Sequence, residues 1–157
     1  MNAFALLRAD HEEVADMLGA IEDTTERAIK TRDVLFKTRD VLFARLKEAL
    51  DLHARIEEEM FYPALKESEA TREITLEAYE EHRLIKQLLG ELEAEPKDTE
   101  EWTAKFTVLK ENIEHHVEEE EGEMFKEAQR VLSKEEIEAL GERLLDAKQR
   151  KRTIGAI

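Results

Sequence analysis

Apolar residues recur at spacings of three and four along most of this chain, and a single histidine interrupts each of the first four stripes they form. That spacing lines side chains along one face of a helix. The first stripe runs Phe4, Leu7, His11, Val14, Leu18, Ile21. The second runs Leu42, Leu46, Ala49, His53, Ile56, Met60, Ala64, and the third Ile74, Ala78, His82, Ile85, Leu89, Leu92. The fourth is Trp102, Phe106, Leu109, Ile113, His116, Glu120, Met124, and a shorter fifth is Ile137, Leu140, Leu144, Ala147. The pattern predicts an all-α protein, an up-and-down four-helix bundle with a short additional C-terminal helix. The bundle is expected over about 3–131 and the last helix over about 134–152, within one domain spanning 1–157. Only 5 Gly and 2 Pro in 157 residues leave few turns for a sandwich, a barrel or a doubly wound sheet.

Composition removes several functions. With no cysteine, disulfides, thiolate metal sites, iron–sulfur clusters and a Cys nucleophile are excluded. A formal net charge of −15 disfavours nucleic acid as a partner. No apolar run approaches the roughly 20 residues of a membrane span. The N-terminus, MNAFALLRADHEEV, turns charged too early for a signal peptide, so a cytoplasmic protein is expected.

The breaks between stripes carry helix-boundary chemistry. Thr71 is a candidate cap for the third helix, Asp98 with Glu101 for the fourth, and Ser133 with Glu136 forms a capping box for the fifth. The second helix could start at Asp23, Thr31 or Asp33. This region holds a tandem repeat, Lys30-Thr-Arg-Asp-Val-Leu-Phe36 followed by Lys37-Thr-Arg-Asp-Val-Leu-Phe43. An added heptad keeps the same helix face inward to within about 20° and lengthens a helix by roughly 10 Å. Two outcomes stay open: the repeat extends the first hairpin beyond the bundle end, where it could promote domain swapping to a dimer, or it is absorbed into a loop.

The histidines are the candidate site. One histidine on an apolar stripe is more often a satisfied core residue. Four on four stripes at matched heights are a different matter. In an up-down bundle, residues at one height lie equally far from the intervening turn. The midpoint of His53 and His82 falls at 67–68, that of His82 and His116 at 99, and that of His11 and His53 at 32, each in or near a break. Glu57 follows His53 by one turn and Glu120 follows His116, so each pair aims two ligand groups at one place. Buried carboxylates need protons, partners or a metal. Imidazole with carboxylate suits iron, zinc or manganese rather than calcium or magnesium. His11, His53, Glu57, His82, His116 and Glu120 are therefore the expected metal ligands. Glu58, Glu118, Glu119 and Glu121 read as solvated faces, and His115 as off the main stripe. Met17, Met60, Met124, Phe61, Tyr62 and Phe125 read as core; Tyr62 or Tyr79 could reach the metals. The basic tail Lys148–Arg152 reads as a helix C-terminus satisfying its dipole.

Leu52-His53-Ala-Arg-Ile-Glu57-Glu58-Glu59-Met60-Phe61-Tyr62-Pro63 resembles the H-x-x-x-E-E…YP signature of the hemerythrin-like family, the HHE cation-binding domain, and His116-Val-Glu-Glu-Glu120-Glu121-Gly122-Glu123-Met124-Phe125 resembles its second copy. Asp10-His11 and Glu81-His82 match the two single-His elements, so the resemblance covers about 3–128. It implies two non-haem iron ions bridged by both carboxylates and by oxo or hydroxo, with His11 and His53 on one iron and His82 and His116 on the other. Oxygen-carrying hemerythrins have a further His one turn after the third-helix His, where this chain has Lys86. The departure points away from classical oxygen carriage, toward the bacterial-type group associated with oxygen or iron sensing and with peroxide or nitric oxide chemistry. Three functions follow as expectations: binding of dioxygen or a related diatomic, an enzyme acting on peroxide, nitric oxide or ferrous iron, and a metal-free structural bundle.

Overall fold

The computed structural model describes residues 1–26 and 31–155, with side chains for 1–25 and 31–151. The described residues are all-helical, with no strand. The elements are α1 (Ala3–Glu26), α2 (Arg32–Ile56), a π-helical turn (Glu57–Phe61), α3 (Tyr62–Lys66), α4 (Glu69–Ala94), α5 (Glu100–Glu119), a second π-helical turn (Glu120–Met124), α6 (Phe125–Val131) and α7 (Lys134–Gly155). Each π turn joins its flanking helices without a break, so 32–66 and 100–131 are two continuous rods. With α1 and α4 they make the expected four-helix bundle, and α7 packs chiefly on α1 and α2. Among the described residues no helix is long and apolar enough to cross a membrane.

Helix boundaries follow local chemistry, with two shifts from expectation. Thr31 caps α2, accepting from the Val34 N–H at 3.2 Å. Thr99 rather than Asp98 caps α5, because Thr99 holds the extended backbone of a cap while its hydroxyl accepts the Trp102 N–H. Ser68 holds the extended position before α4 without a side-chain bond, and Thr71 instead sits in the first turn, donating to the Leu65 carbonyl. The Ser133–Glu136 box forms as expected, with reciprocal bonds of 3.2 and 3.1 Å. The Asp23–Glu26 segment lies within α1, so it opens no helix.

Of the tandem repeat, residues 27–30, and so Lys30, lie outside the described residues; Arg32 onward is helical. The two copies meet different surroundings. Phe43 is buried against the edge of Trp102, whereas Phe36 is 37% exposed. Arg39 is buried, donating to Thr24, Thr25 and the Lys97 carbonyl. Its counterpart Arg32 is exposed, 3.8 Å from Asp98. The repeat therefore lengthens α2 and is not absorbed into a loop.

The core is in two parts. One cluster, at the end reached by α7, includes Phe4, Leu7, Phe61, Tyr62, Phe125 and Leu144. The other includes Leu18, Phe43, Leu46, Leu89, Trp102 and Phe106. Each fully buried large side chain contributes about 1.5–3 kcal/mol. Gly141 lets α7 approach the N-terminus: a Cβ there would lie 2.5 Å from the Met1 carbonyl oxygen and 2.6 Å from the Ala3 nitrogen. Between the two apolar clusters lies a polar layer.

Candidate metal centre

The layer is made by His11 from α1, His53 from α2, His82 from α4 and His116 from α5, joined by Glu57 and Glu120. All six are buried, the two glutamates almost completely. Each glutamate is the first residue of a π turn: Tyr62 N–H bonds to the Glu57 carbonyl and Phe125 N–H to the Glu120 carbonyl, five residues back. A π turn widens the helix by one residue, and such turns concentrate at functional sites.

The rings form two pairs, with centroids 5.0 Å apart for His11 and His53 and 4.8 Å apart for His82 and His116. Each carboxylate reaches one ring of each pair. Glu57 Oε1 lies 3.0 Å from His53 Nε2 and 3.2 Å from His82 Nε2. Glu120 Oε1 lies 3.0 Å from His11 Nε2, and its Oε2 lies 3.4 Å from His116 Nε2. His11 Nε2, His53 Nε2, both Glu57 oxygens and Glu120 Oε1 make no hydrogen bond although all are buried. Unbonded buried donors and acceptors are costly, and here they converge on common points instead of pairing. His11, His53, Glu57 and Glu120 form one group able to hold a cation, and Glu57, His82 and His116 a second.

The outer nitrogen of every ring is held by a carboxylate. His53 Nδ1 lies 2.8 Å from Asp10, His11 Nδ1 2.6 Å from Glu121, His82 Nδ1 2.9 Å from Glu58 and His116 Nδ1 2.8 Å from Glu81. An acceptor there fixes the N–H on Nδ1 and leaves the Nε2 lone pair pointing inward, as a metal-ligating histidine requires. Glu58 and Glu121, read from sequence as solvated, therefore orient imidazoles. The available signal was adjacency: each of the four backing acids neighbours a candidate ligand in sequence but holds a histidine on another helix.

Three of the four backing acids also touch a basic side chain. Lys148 of α7 bonds to Asp10, Lys86 lies 2.8 Å from Glu58, and Arg8 is 3.8 Å from Glu121. The basic tail thus does more than satisfy a dipole: Lys148 reaches the layer behind His53, and Lys151 lies 3.1 Å from Glu59. Lys86 faces outward to Glu58 and supplies no ligand atom to the layer.

Tyr62 belongs to the layer. Its hydroxyl donates to Glu120 Oε2 at 2.6 Å and lies 3.1 Å from His82 Nε2 and 3.3 Å from His116 Nε2. Tyr79 instead donates to the Glu58 carbonyl. His115 stays outside, with Glu81 and Glu119.

The electrostatics follow from packing anions and imidazoles out of water. Burial disfavours the His116 cation, but Glu120 and Glu81 outweigh it and push the ring up to about 10. Burial acts the same way on His53 and His82, and the neighbouring carboxylates raise both. Burial would raise Glu120, yet Glu57, His11 and His116 close around it hold it well below the usual carboxylate range. The His82 hydrogen bond and Lys86 bring Glu58 down to about 2. Burial and Glu120 push the Tyr62 phenol well above its ordinary value. This field favours positive charge at the centre of the layer, from protons or from metal. A cavity of about 30 Å³ lies against the four histidines, walled by Val14, Leu50, Ile85, Ile113 and Val117, enough for one small molecule.

Residues 2–128 match the hemerythrin HHE cation binding domain. No protein of curated function matches the sequence. The fold is similar to the crystal structure of a hemerythrin HHE cation binding domain-containing protein from Mycobacterium kansasii. The identity is 27% and the TM-score 0.78, covering 98% of this chain and 88% of that one.

Proposed function

The chain belongs to the hemerythrin HHE cation-binding domain family, and we propose that its buried layer holds two non-haem iron ions that bind dioxygen or a related small ligand in an oxygen- or iron-sensing or binding role. His11 and His53 would hold one ion, His82 and His116 the other, with Glu57 and Glu120 bridging. One observation carries this reading: each buried carboxylate reaches one imidazole from each pair. A single-ion site has no use for that crossing. When bound, the irons supply reversible redox change and open coordination positions for a small ligand. The chain's own residues do the rest. Asp10, Glu121, Glu58 and Glu81 aim the rings, the apolar clusters exclude water, and the small cavity against the histidines admits only a small guest.

A second reading, an enzyme acting on peroxide, nitric oxide or ferrous iron, is favoured by Tyr62. Its hydroxyl, close to both Nε2 atoms of the His82–His116 pair, can hand a proton to a ligand bound on that side. Metal content of anaerobically purified protein, with absorption spectra before and after air, tests the first reading. About two irons per chain and oxo-to-iron charge-transfer bands in air are expected. A fraction of one zinc, or unchanged thermal stability after thorough chelation, would leave the metal-free bundle standing. Recovery of the air spectrum after reduction and re-exposure supports binding; peroxide turnover lost in Tyr62→Phe supports the enzyme.

A further inference from the structure

His115 and Glu119 form a third H-x-x-x-E pair, one residue before His116 and Glu120, and Glu81 likewise precedes His82. A one-residue step turns a helix by about 100°, so this outer trio faces away from the buried layer. His115 Nε2 lies 3.2 Å from Glu119 Oε1 and 3.9 Å from Glu81 Oε2, and one ligand atom from each residue lies within 4.8 Å of the others. Donors at about 2.0–2.2 Å from one first-row cation stand at most about 4.4 Å apart, so the 3.2 and 3.9 Å separations fit as they stand and a small side-chain rotation brings in any wider pair. Solvent reaches the trio, with His115 64% and Glu119 41% exposed along a groove between α4 and α5 that also carries Glu73, Glu77 and Glu80.

The charges around the four backing acids add an independent argument. Asp10, Glu58 and Glu121 each touch a lysine or arginine. Among the described residues Glu81 touches none; in the matching place stand His115 and Glu119, whose carboxyl is hydrogen-bonded to that of Glu81. The position filled by a fixed cation behind three of the rings is, behind His116, built of metal-ligand groups.

We propose that Glu81, His115 and Glu119 form a second, solvent-facing site for a divalent first-row transition-metal ion, separate from the buried layer and joined to it by Glu81. One imidazole with two carboxylates selects such ions over calcium or magnesium. Glu81 Oε1 holds His116 Nδ1 at 2.8 Å while its Oε2 faces His115, so one carboxylate serves both places. An ion at the outer site draws on the Glu81 carboxylate and loosens its hold on the His116 ring. The outer site needs no metal in the buried layer, so it stands apart from the di-iron reading.

The test is equilibrium dialysis of the full chain against Zn²⁺ from micromolar to millimolar, with His ring proton NMR, for wild type, His115→Ala and Glu119→Gln. Both variants change exposed side chains and keep the fold, which circular dichroism checks. Wild type is expected to bind one more Zn²⁺ per chain than either variant, and the His115 ring signal to shift or broaden as that ion binds. Equal stoichiometry in all three proteins, or a His115 signal unmoved at millimolar Zn²⁺, overturns the proposal. Failure of the buried centre looks different: tight binding is then missing from all three proteins, while the weaker ion sensitive to His115→Ala persists in wild type.

Discussion

The two halves of the buried layer are built from matching parts and finished differently. In the His11–His53 half, both inner nitrogens are without a hydrogen bond, and the acid behind His53 is buried and tied to Lys148 of α7. In the His82–His116 half, the inner nitrogens lie 3.2 Å apart with the Tyr62 hydroxyl beside them, and the backing acids Glu58 and Glu81 are partly open to solvent. The first half is capped behind His53 by an added helix, while Glu121 behind its other ring, His11, is 32% exposed. The second carries a proton donor inside and reaches water outside. Matching histidines therefore do not have matching surroundings, because the groups that orient and charge each ring come from elsewhere in the chain.

The bridging carboxylates test whether the halves are joined at all. Glu57→Ala or Glu120→Ala is expected to remove both ions from each chain, measured by elemental analysis. If one ion per chain survives either substitution, the halves are independent. Next in size is the half capped by α7. Lys148→Met leaves Asp10, which aims His53, without its ammonium and should weaken the ion on His11 and His53 by less than the roughly 10–100-fold expected for losing Asp10 itself, read from competition with a chelator. Lys86→Met should cost less, since Lys86 is 48% exposed and screened. An equal loss from both would show that the docking of α7 adds nothing to the layer.

Protons sharpen the contrast with metal. With no metal bound, the raised imidazoles lend stability that is full below their ordinary value near 6.5 and is lost as pH rises through the folded value, about 10 for His116. Metal must displace those protons, so affinity should rise with pH from 6 toward 9, with proton release seen as buffer-dependent binding heat. Affinity that falls over this range would contradict the charge balance described for the layer. Gly141→Ala pushes a Cβ against the N-terminal backbone and should destabilise the docking of α7 by about 1–3 kcal/mol, measured by chemical denaturation. Tyr62→Phe should cost about 1.5–3 kcal/mol of stability, the loss of one buried hydrogen bond to a carboxylate. It should alter the absorption spectrum of the iron-loaded His82–His116 half while both ions stay.

Much of this site was legible in the sequence. His11, His53, His82 and His116 betray themselves because a polar ring on an apolar stripe violates the pattern, and Glu57 and Glu120 because they follow by one turn. The π turns left no such trace: they change which carbonyl an N–H meets, not which residue types are used. Glu58 and Glu121 were hidden in runs of acid that look like ordinary solvated faces. Lys148 was out of reach because its contact with Asp10 depends on where α7 docks, and its stripe of Ile137, Leu140, Leu144 and Ala147 specifies a face without naming the partner. The caps at Thr31 and Ser133 were readable from local chemistry, while Asp98 and Thr99, adjacent and both competent, were separable only by backbone conformation.

The duplicated heptad has a consequence for how such a protein can change by insertion. Phe36 and Phe43, equivalent positions in the two copies, both present their rings to the ammonium of Lys97 at 5.7 Å, so both copies grip the same turn between α4 and α5. Slippage by one repeat would trade one phenylalanine for its twin and leave the helical phase at His53 almost untouched. The far end of the bundle is thus a region where length can be gained or lost in steps of seven, while a step of one or two residues would turn His53 out of the core.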